Sequence, residues 1–175
     1  MVSKQRVIKG IAATYVTAIR NTPILVLVLF AYFALPRLGL RLDKVTAFIL
    51  SLSIYAGAYL TEVFRAGLIA MPPGLREAGL AVGLSELQIK SFITVPVMLR
   101  NVLPSLGNNF VSLFKDTSLA AAISVPELTF YARKINVETF RVVETWLVAS
   151  LMYVGTCWVI AQGLRLLERR LRIPR

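Results

Sequence analysis

The chain has 175 residues, of which 57% are apolar and 17% charged, and its mean hydropathy is +0.69. A soluble domain carries about 25% charged and 45–50% apolar residues, so several membrane-embedded segments account for the excess better than one buried core, and disorder is excluded because disordered chains are apolar-poor. The formal charge of +11 reads as basic loops held against a membrane rather than as affinity for nucleic acid, and the absence of His excludes imidazole metal sites and Ser-His-Asp triads.

In chain order, residues 1–11 are basic and too polar to cross, and no signal-peptide pattern with a cleavage site is present. Residues 24–35 are an apolar stretch between Pro23 and Pro36 that covers only about 18 Å as a helix. Extending it back to Tyr15 gives a first span at 15–36, with Arg20 snorkelling to the headgroups and Pro23 kinking the helix. A second span covers 45–69: 17 uncharged residues, then Glu62 and Arg65. The loop 71–100 is too long for a turn and has helical spacing. A third span at 102–125 is interrupted by Lys115 and Asp116. Residues 126–140 carry Glu127, Arg133, Lys134 and Glu138 and read either as a surface helix presented to a partner or as a solvated loop. The fourth span, 145–165, is the cleanest. Its lone Cys157 cannot form an internal disulfide and reads as a small core hydrophobe. Trp146, Trp158, Tyr131 and Tyr153 suit membrane interfaces and helix packing. The expected fold is an all-α integral membrane protein, one domain over 1–175, with about four spans and a cytoplasmic helix pair.

Orientation follows from Lys and Arg. Lys4, Arg6, Lys9 and Arg20, then Arg65, Arg76, Lys90 and Arg100, then Arg165, Arg169, Arg170, Arg172 and Arg175 put 13 of the 20 basic residues on one side. Both termini and the 71–100 loop are therefore expected in the cytoplasm.

That loop has internal structure. Pro73 can open a short helix, where no amide hydrogen is needed. The helix runs to about Val82 and ends at Gly83, suited to a left-handed C-cap. Ser85 with Gln88 three residues later reads as a capping box for a second helix. Leu75, Gly79 and Val82 supply a weak apolar face. Spacing alone leaves two readings open: a docking element for a soluble partner, or an interfacial helix resting on lipid.

Glu77-Ala78, Gly83, Ile93 and Pro96 resemble the EAA loop of ABC importer membrane subunits, with Gly79 in place of the second Ala and Val95 in place of Leu. Arg20-Asn-Thr-Pro23, the segment Gly57 to Gly67 with Glu62 and Arg65, and Phe114-Lys115-Asp116-Thr117-Ser118-Leu119 are similar to motifs of the polar amino-acid branch, the histidine, glutamine, glutamate, arginine and opine type. The resemblance implies a type I ABC importer permease in a bacterial inner membrane, with Glu77, Ala78, Gly79, Gly83, Ile93 and Pro96 in ATPase coupling. It implies a pair of ATPase subunits carrying ATP and Mg, a second permease subunit, a periplasmic amino-acid-binding protein and membrane lipid as partners, and no cofactor on this chain. Such subunits usually have five core spans, the first several dozen residues before the position of Arg20. Only 19 residues precede it here, as expected of a natural short form, a mis-called start or a fragment.

The residues agree on the absence of a nucleotide site. Gly74 and Gly79 have P-loop spacing, but Leu80 and Ala81 follow where Lys and Ser or Thr are needed. Candidates for a gate or translocation path are Glu62, Arg65, Asn108, Lys115, Asp116, Thr117 and Ser118, because polar groups inside apolar runs face bundle interiors or water-filled paths. The alternative for Lys115 and Asp116 is a structural ion-pair network with Glu62 and Arg65. At the level of function, the alternative is a secondary transporter or channel not powered by ATP. An enzyme is disfavoured, since no acid, base, nucleophile or metal cluster is visible.

Overall fold

A computed structural model describes residues 2–171, with side chains from 6 to 170. Met1, Arg172 and Arg175 lie outside the described residues, as does the side chain of Lys4. Among the described residues every regular element is helical: α1 (Val2–Arg20), α2 (Ile24–Leu29), α3 (Lys44–Ile69), α4 (Gly74–Ala81), α5 (Glu86–Ile89), α6 (Val95–Asp116), α7 (Leu128–Thr139) and α8 (Val142–Leu171).

Two helices, α3 and α8, are individually long and apolar enough to cross a bilayer. The start of α3 is set by Asp43, whose carboxylate accepts from the amides of Val45 and Thr46 at 3.0 and 3.1 Å. Hydrogen bonding from Thr46, then Val45, holds that carboxyl below its ordinary range. The continuous helix expected across 15–36 is instead a broken pair bent by 100°. Asn21 and Thr22 turn their side chains back onto the carbonyls of Thr17 and Ala18, ending α1. Pro23 then has no amide to donate and takes an extended ψ of 134°. The kink expected there is a full change of direction.

Beyond α2 the helix widens into a π-turn over Phe30–Ala34, and a second π-turn, Lys90–Thr94, joins α5 to α6. Each lies just before a proline, Pro36 or Pro96, whose ring would clash with the carbonyl four residues back in a regular helix. The helix expected over 102–125 also differs. It begins at Val95, stops at Asp116 and tightens into a 3₁₀ stretch, Thr117–Ile123. Lys115 and Asp116 therefore stand at the end of α6, where it passes into the 3₁₀ stretch.

The core lies where α2, α3 and the 3₁₀ stretch meet: Ile24, Val28, Phe48, Ala120 and Ile123. Lys44 Nζ donates to the carbonyl of Ser124 at 2.7 Å and closes that end. Tyr153, for which interface placement had sufficed, has specific partners. Its hydroxyl donates to Glu127 Oε2 at 2.9 Å, while Glu127 caps α7 through the amides of Thr129 and Phe130. The segment 126–140 is thus a capped helix locked to α8.

Candidate functional site

The 71–100 loop folds as its local chemistry requires. Pro73 precedes α4, which ends at Ala81, and Gly83 takes a positive φ of 83°. Gly83 N–H donates to the Leu80 carbonyl at 3.0 Å and Leu84 N–H to the Gly79 carbonyl at 3.0 Å, the paired bonds of a Schellman cap. Ser85 and Gln88 complete a reciprocal capping box at the start of α5. Arg76 and Glu86 pair across the turn and staple the two helices from outside.

Inside the elbow, Gly79 is buried. An added Cβ would lie 3.0 Å from Ile89 Cγ1 and 3.0 Å from Ile93 Cδ1. The departure from the EAA pattern at this position thus matches a close approach of the two helices. Val82 does not join Leu75 and Gly79 on an apolar face. It is 75% exposed, because α4 has ended one residue before it. Glu77 and Ala78 are exposed on the outer side, while Ile93 lies partly buried below Gly79. Pro96 sits in the first turn of α6. The elbow and α6 are thereby one mechanical unit: α4 rests on Ile89 and Ile93, and their helix runs on into α6.

Replacement of Gly83 by Val is expected to open this elbow, since a β-branched residue resists positive φ. Gly83→Asn, which tolerates that region, should keep most function. Transport per ATP hydrolysed in reconstituted vesicles checks the pair, and equal activity of both variants would show the turn to be replaceable.

The second assembly lies between α1, α3 and α6. Arg65 holds Glu62 from one turn away, through Nε at 3.0 Å and Nη2 at 2.6 Å. Arg20 Nη1 approaches the same carboxylate at 3.6 Å, with its guanidinium 5.3 Å above the Tyr59 ring. Arg20, Tyr59 and Glu62 border a cleft of about 520 Å³ that also includes Asn101, Ser105 and Asn109. Among the described residues, Lys115 and Asp116 form no ion pair with Glu62 or Arg65, so the alternative reading as a network with them is not met. Glu62 lies nearer to Arg20 and Arg65, and the helix end carries Lys115 and Asp116 away. Thr117 Oγ1 donates to the Phe114 carbonyl at 2.6 Å, a backbone role, and Ser118 is half-buried beside it.

The spacing of polar residues along α6 is regular. Asn101, Ser105, Asn108, Ser112 and Lys115 follow one another at intervals of four and three. On α6 all five are exposed and share one face. That polar stripe begins at the cleft and ends at Lys115, so it links candidates that the Glu62 cluster alone does not reach. Asn101, Ser105 and Ser112 are the unforeseen members of the stripe, and Arg20 and Tyr59 those of the cleft.

Residues 2–173 match the family described as "Binding-protein-dependent transport system inner membrane component". The glutamine transport system permease protein GlnP of Escherichia coli K12 is 41% identical over 165 residues, covering 93% of this chain and 75% of that protein. The L-cystine transport system permease protein TcyB of Bacillus subtilis is 32% identical over 170 residues, covering 97% and 73%. A crystal structure of an amino acid ABC transporter with histidines superposes with a TM-score of 0.88 at 32% identity, covering 94% of this chain and 77% of that one. The methionine ABC transporter MetNI, at 16% identity and a TM-score of 0.79, shares the fold. These matches, with an all-helical fold and an elbow of the expected form, exclude the secondary-transporter and enzyme alternatives. The chain belongs to the binding-protein-dependent transport system inner membrane component family and is the permease subunit of an ABC importer.

Proposed function

We propose that this subunit passes polar amino acids between itself and a second permease, a copy or a paralogue, driven by ATP and Mg on a pair of ATPase subunits. A periplasmic amino-acid-binding protein delivers the solute at the face that carries Lys44 and Ser124. The relatives named for glutamine and cystine support this solute class. The bilayer is crossed by the bent α1–α2 pair, by α3, by α6 with its 3₁₀ extension, and by α8, with both termini cytoplasmic. Cysteines placed at Arg41 and Arg170 test that topology. The first should label from outside and the second only from inside, and outside labelling at 170 would reverse the orientation.

The polar stripe on α6 carries the reading. Five exposed polar side chains in hydrocarbon would be costly, so this face needs water or a polar partner. A path beside it supplies both. The cleft at its cytoplasmic end offers the Arg20 guanidinium and the Glu62 carboxylate, which Arg65 holds from one turn away, within one small region. Those charges complement a zwitterion, whose carboxylate and ammonium need opposite partners at fixed separation.

ATPase subunits meet the exposed side of α4 at Glu77 and Ala78. Closure of the ATPases pushes α4 against Ile89 and Ile93, the rigid elbow passes that displacement into α6, and the stripe moves with it. This is alternating access by rigid-body motion about a fixed path. Vesicles holding the permeases, ATPase and binding protein should take up a labelled polar amino acid only with ATP. Uptake driven equally by an ion gradient without ATP would overturn the mechanism. In the same assay Glu62→Gln should lower uptake at least tenfold, a loss of about 1.4 kcal/mol or more in transport free energy terms, while ATPase subunits remain bound. Unchanged uptake would make the cluster purely structural.

A further inference from the structure

Helices α6 and α8 run antiparallel. The rings of Phe114 and Tyr153 lie 6.5 Å apart, and farther down the pair Gly107 faces Leu164. Around that second contact is a groove of about 440 Å³ walled by Leu103, Gly107, Phe110, Val111, Ala161 and Leu164. Gly107 contributes only backbone to its wall. A Cβ there would make ordinary contact, 3.7 Å from Leu164 Cβ, so any longer side chain would enter the groove.

The charged groups gather at one end. Arg165 and Glu168 border the groove there, and Arg169 follows Arg165 by one turn. Arg100 precedes Leu103 by three residues and Gly107 by seven, on the same face of α6. Antiparallel packing sets it level with the last turn of α8. All three arginines are exposed. Glu168 is engaged in an interaction of its own. Apart from Asn108 the groove is apolar along its length, and the end assigned above to the cytoplasm carries Arg165 and Glu168, with Arg100 and Arg169 beside it.

We propose that the α6–α8 groove binds an anionic phospholipid of the cytoplasmic leaflet, with an acyl chain along Gly107 and Leu164 and the phosphate among Arg100, Arg165 and Arg169. Charge complementarity selects this occupant. An apolar helix from another subunit would cover the walls but offer nothing to an end that sets three guanidiniums against the single carboxylate of Glu168. A free phosphate would meet the arginines and leave the walls bare. A phospholipid satisfies both ends at once.

The leaflet assignment rests on the proposed orientation, but the test reads lipid retention and needs neither transport nor ATPase. The full chain, purified in mild detergent, is incubated with phosphatidylglycerol or with phosphatidylcholine of the same acyl chains, and bound lipid is measured by native mass spectrometry. Phosphatidylglycerol should be retained at least tenfold better. Each of Arg100→Gln, Arg165→Gln and Arg169→Gln should weaken it about fivefold, the effect of roughly one basic residue near a headgroup. Arg133→Gln on α7 should change nothing. Gly107→Leu should lose both lipids, and if it fails to fold the exposed arginine variants still decide the question.

Equal retention of the two lipids would overturn the site, as would unchanged retention in the triple Gln variant. Displacement by millimolar inorganic phosphate would show an anion site without a lipid. Cross-linking of Gly107→Cys between two copies in native membranes would show a protein in the groove. A reversed topology would leave the lipid preference intact and move the site to the other leaflet, which the label at 170 reads separately.

Discussion

Glu77→Lys is expected to abolish uptake while the helices still insert and α4 still forms. Glu77 is exposed, lies in the first turn of α4 and takes no part in the internal packing of the elbow, which rests on Gly79, Ile89 and Ile93. The cap at Gly83 and the Arg76–Glu86 staple do not involve it either. Reversing this charge therefore changes the surface offered to a partner and little else. Near the start of a helix a carboxylate also suits the axial dipole, worth about 0.3–1 kcal/mol, and a cation opposes it. That local cost is too small to unfold the elbow. Loss of transport would accordingly report loss of ATPase contact. Co-purification of the ATPase subunits and uptake in vesicles are the two measurements. A helix resting on lipid makes the opposite forecast, because an added Lys favours anionic headgroups. Wild-type ATPase binding together with wild-type uptake in this variant would remove the coupling role from α4.

Gly67→Ala is expected to destabilise the subunit by about 1–3 kcal/mol, the usual range for overpacking, and Gly67→Val by more. Gly67 is buried where α3 crosses α6. An added Cβ would collide with Val102 Cγ1 and would lie 3.5 Å from both Met98 Cγ and the Met98 carbonyl. Val102 is 2% exposed, and a helical valine has one strongly preferred rotamer, so it cannot swing aside. The helices must separate, and the cleft between Glu62 and Asn101 widens with them. Thermal unfolding of the purified subunit should show the loss, and Val102→Ala should restore much of it in the double variant. Unaltered stability in Gly67→Ala would mean that α3 and α6 yield by a methyl group without cost. The same contact accounts for the glycine at the end of the segment running from Gly57 to Gly67, which had carried a resemblance without a reason.

The features legible in the sequence share one property: their causes are local. A Schellman turn needs a residue tolerant of positive φ, and Gly83 is that residue. A capping box needs Ser and Gln three apart, and Ser85 and Gln88 are there. Long uncharged runs must be buried or lie in lipid, so α3 and α8 were visible from composition. The polar stripe on α6 was equally local in its spacing. It was obscured by the leucines and prolines between its members and by treating Lys115 and Asp116 as an interruption.

The remainder depended on contacts between distant parts of the chain. Pro23 marks where a helix must break, but its 100° bend reflects Ile24 and Val28 packing on Phe48 and Ile123, far away in sequence. Glu62 could have paired with any of several cations. Arg65 reaches it from one turn away and Arg20 from a different helix, and this left Lys115 and Asp116 outside the cluster. Composition, caps and motif spacing by themselves determined that this is a membrane subunit with a helical elbow, because each is settled within a few residues by sterics, hydrogen bonding or transfer from water. Only the tertiary structure decided which charges meet, which glycines are squeezed and which face of α6 stays polar and open, because close packing makes those choices mutually exclusive over the whole fold.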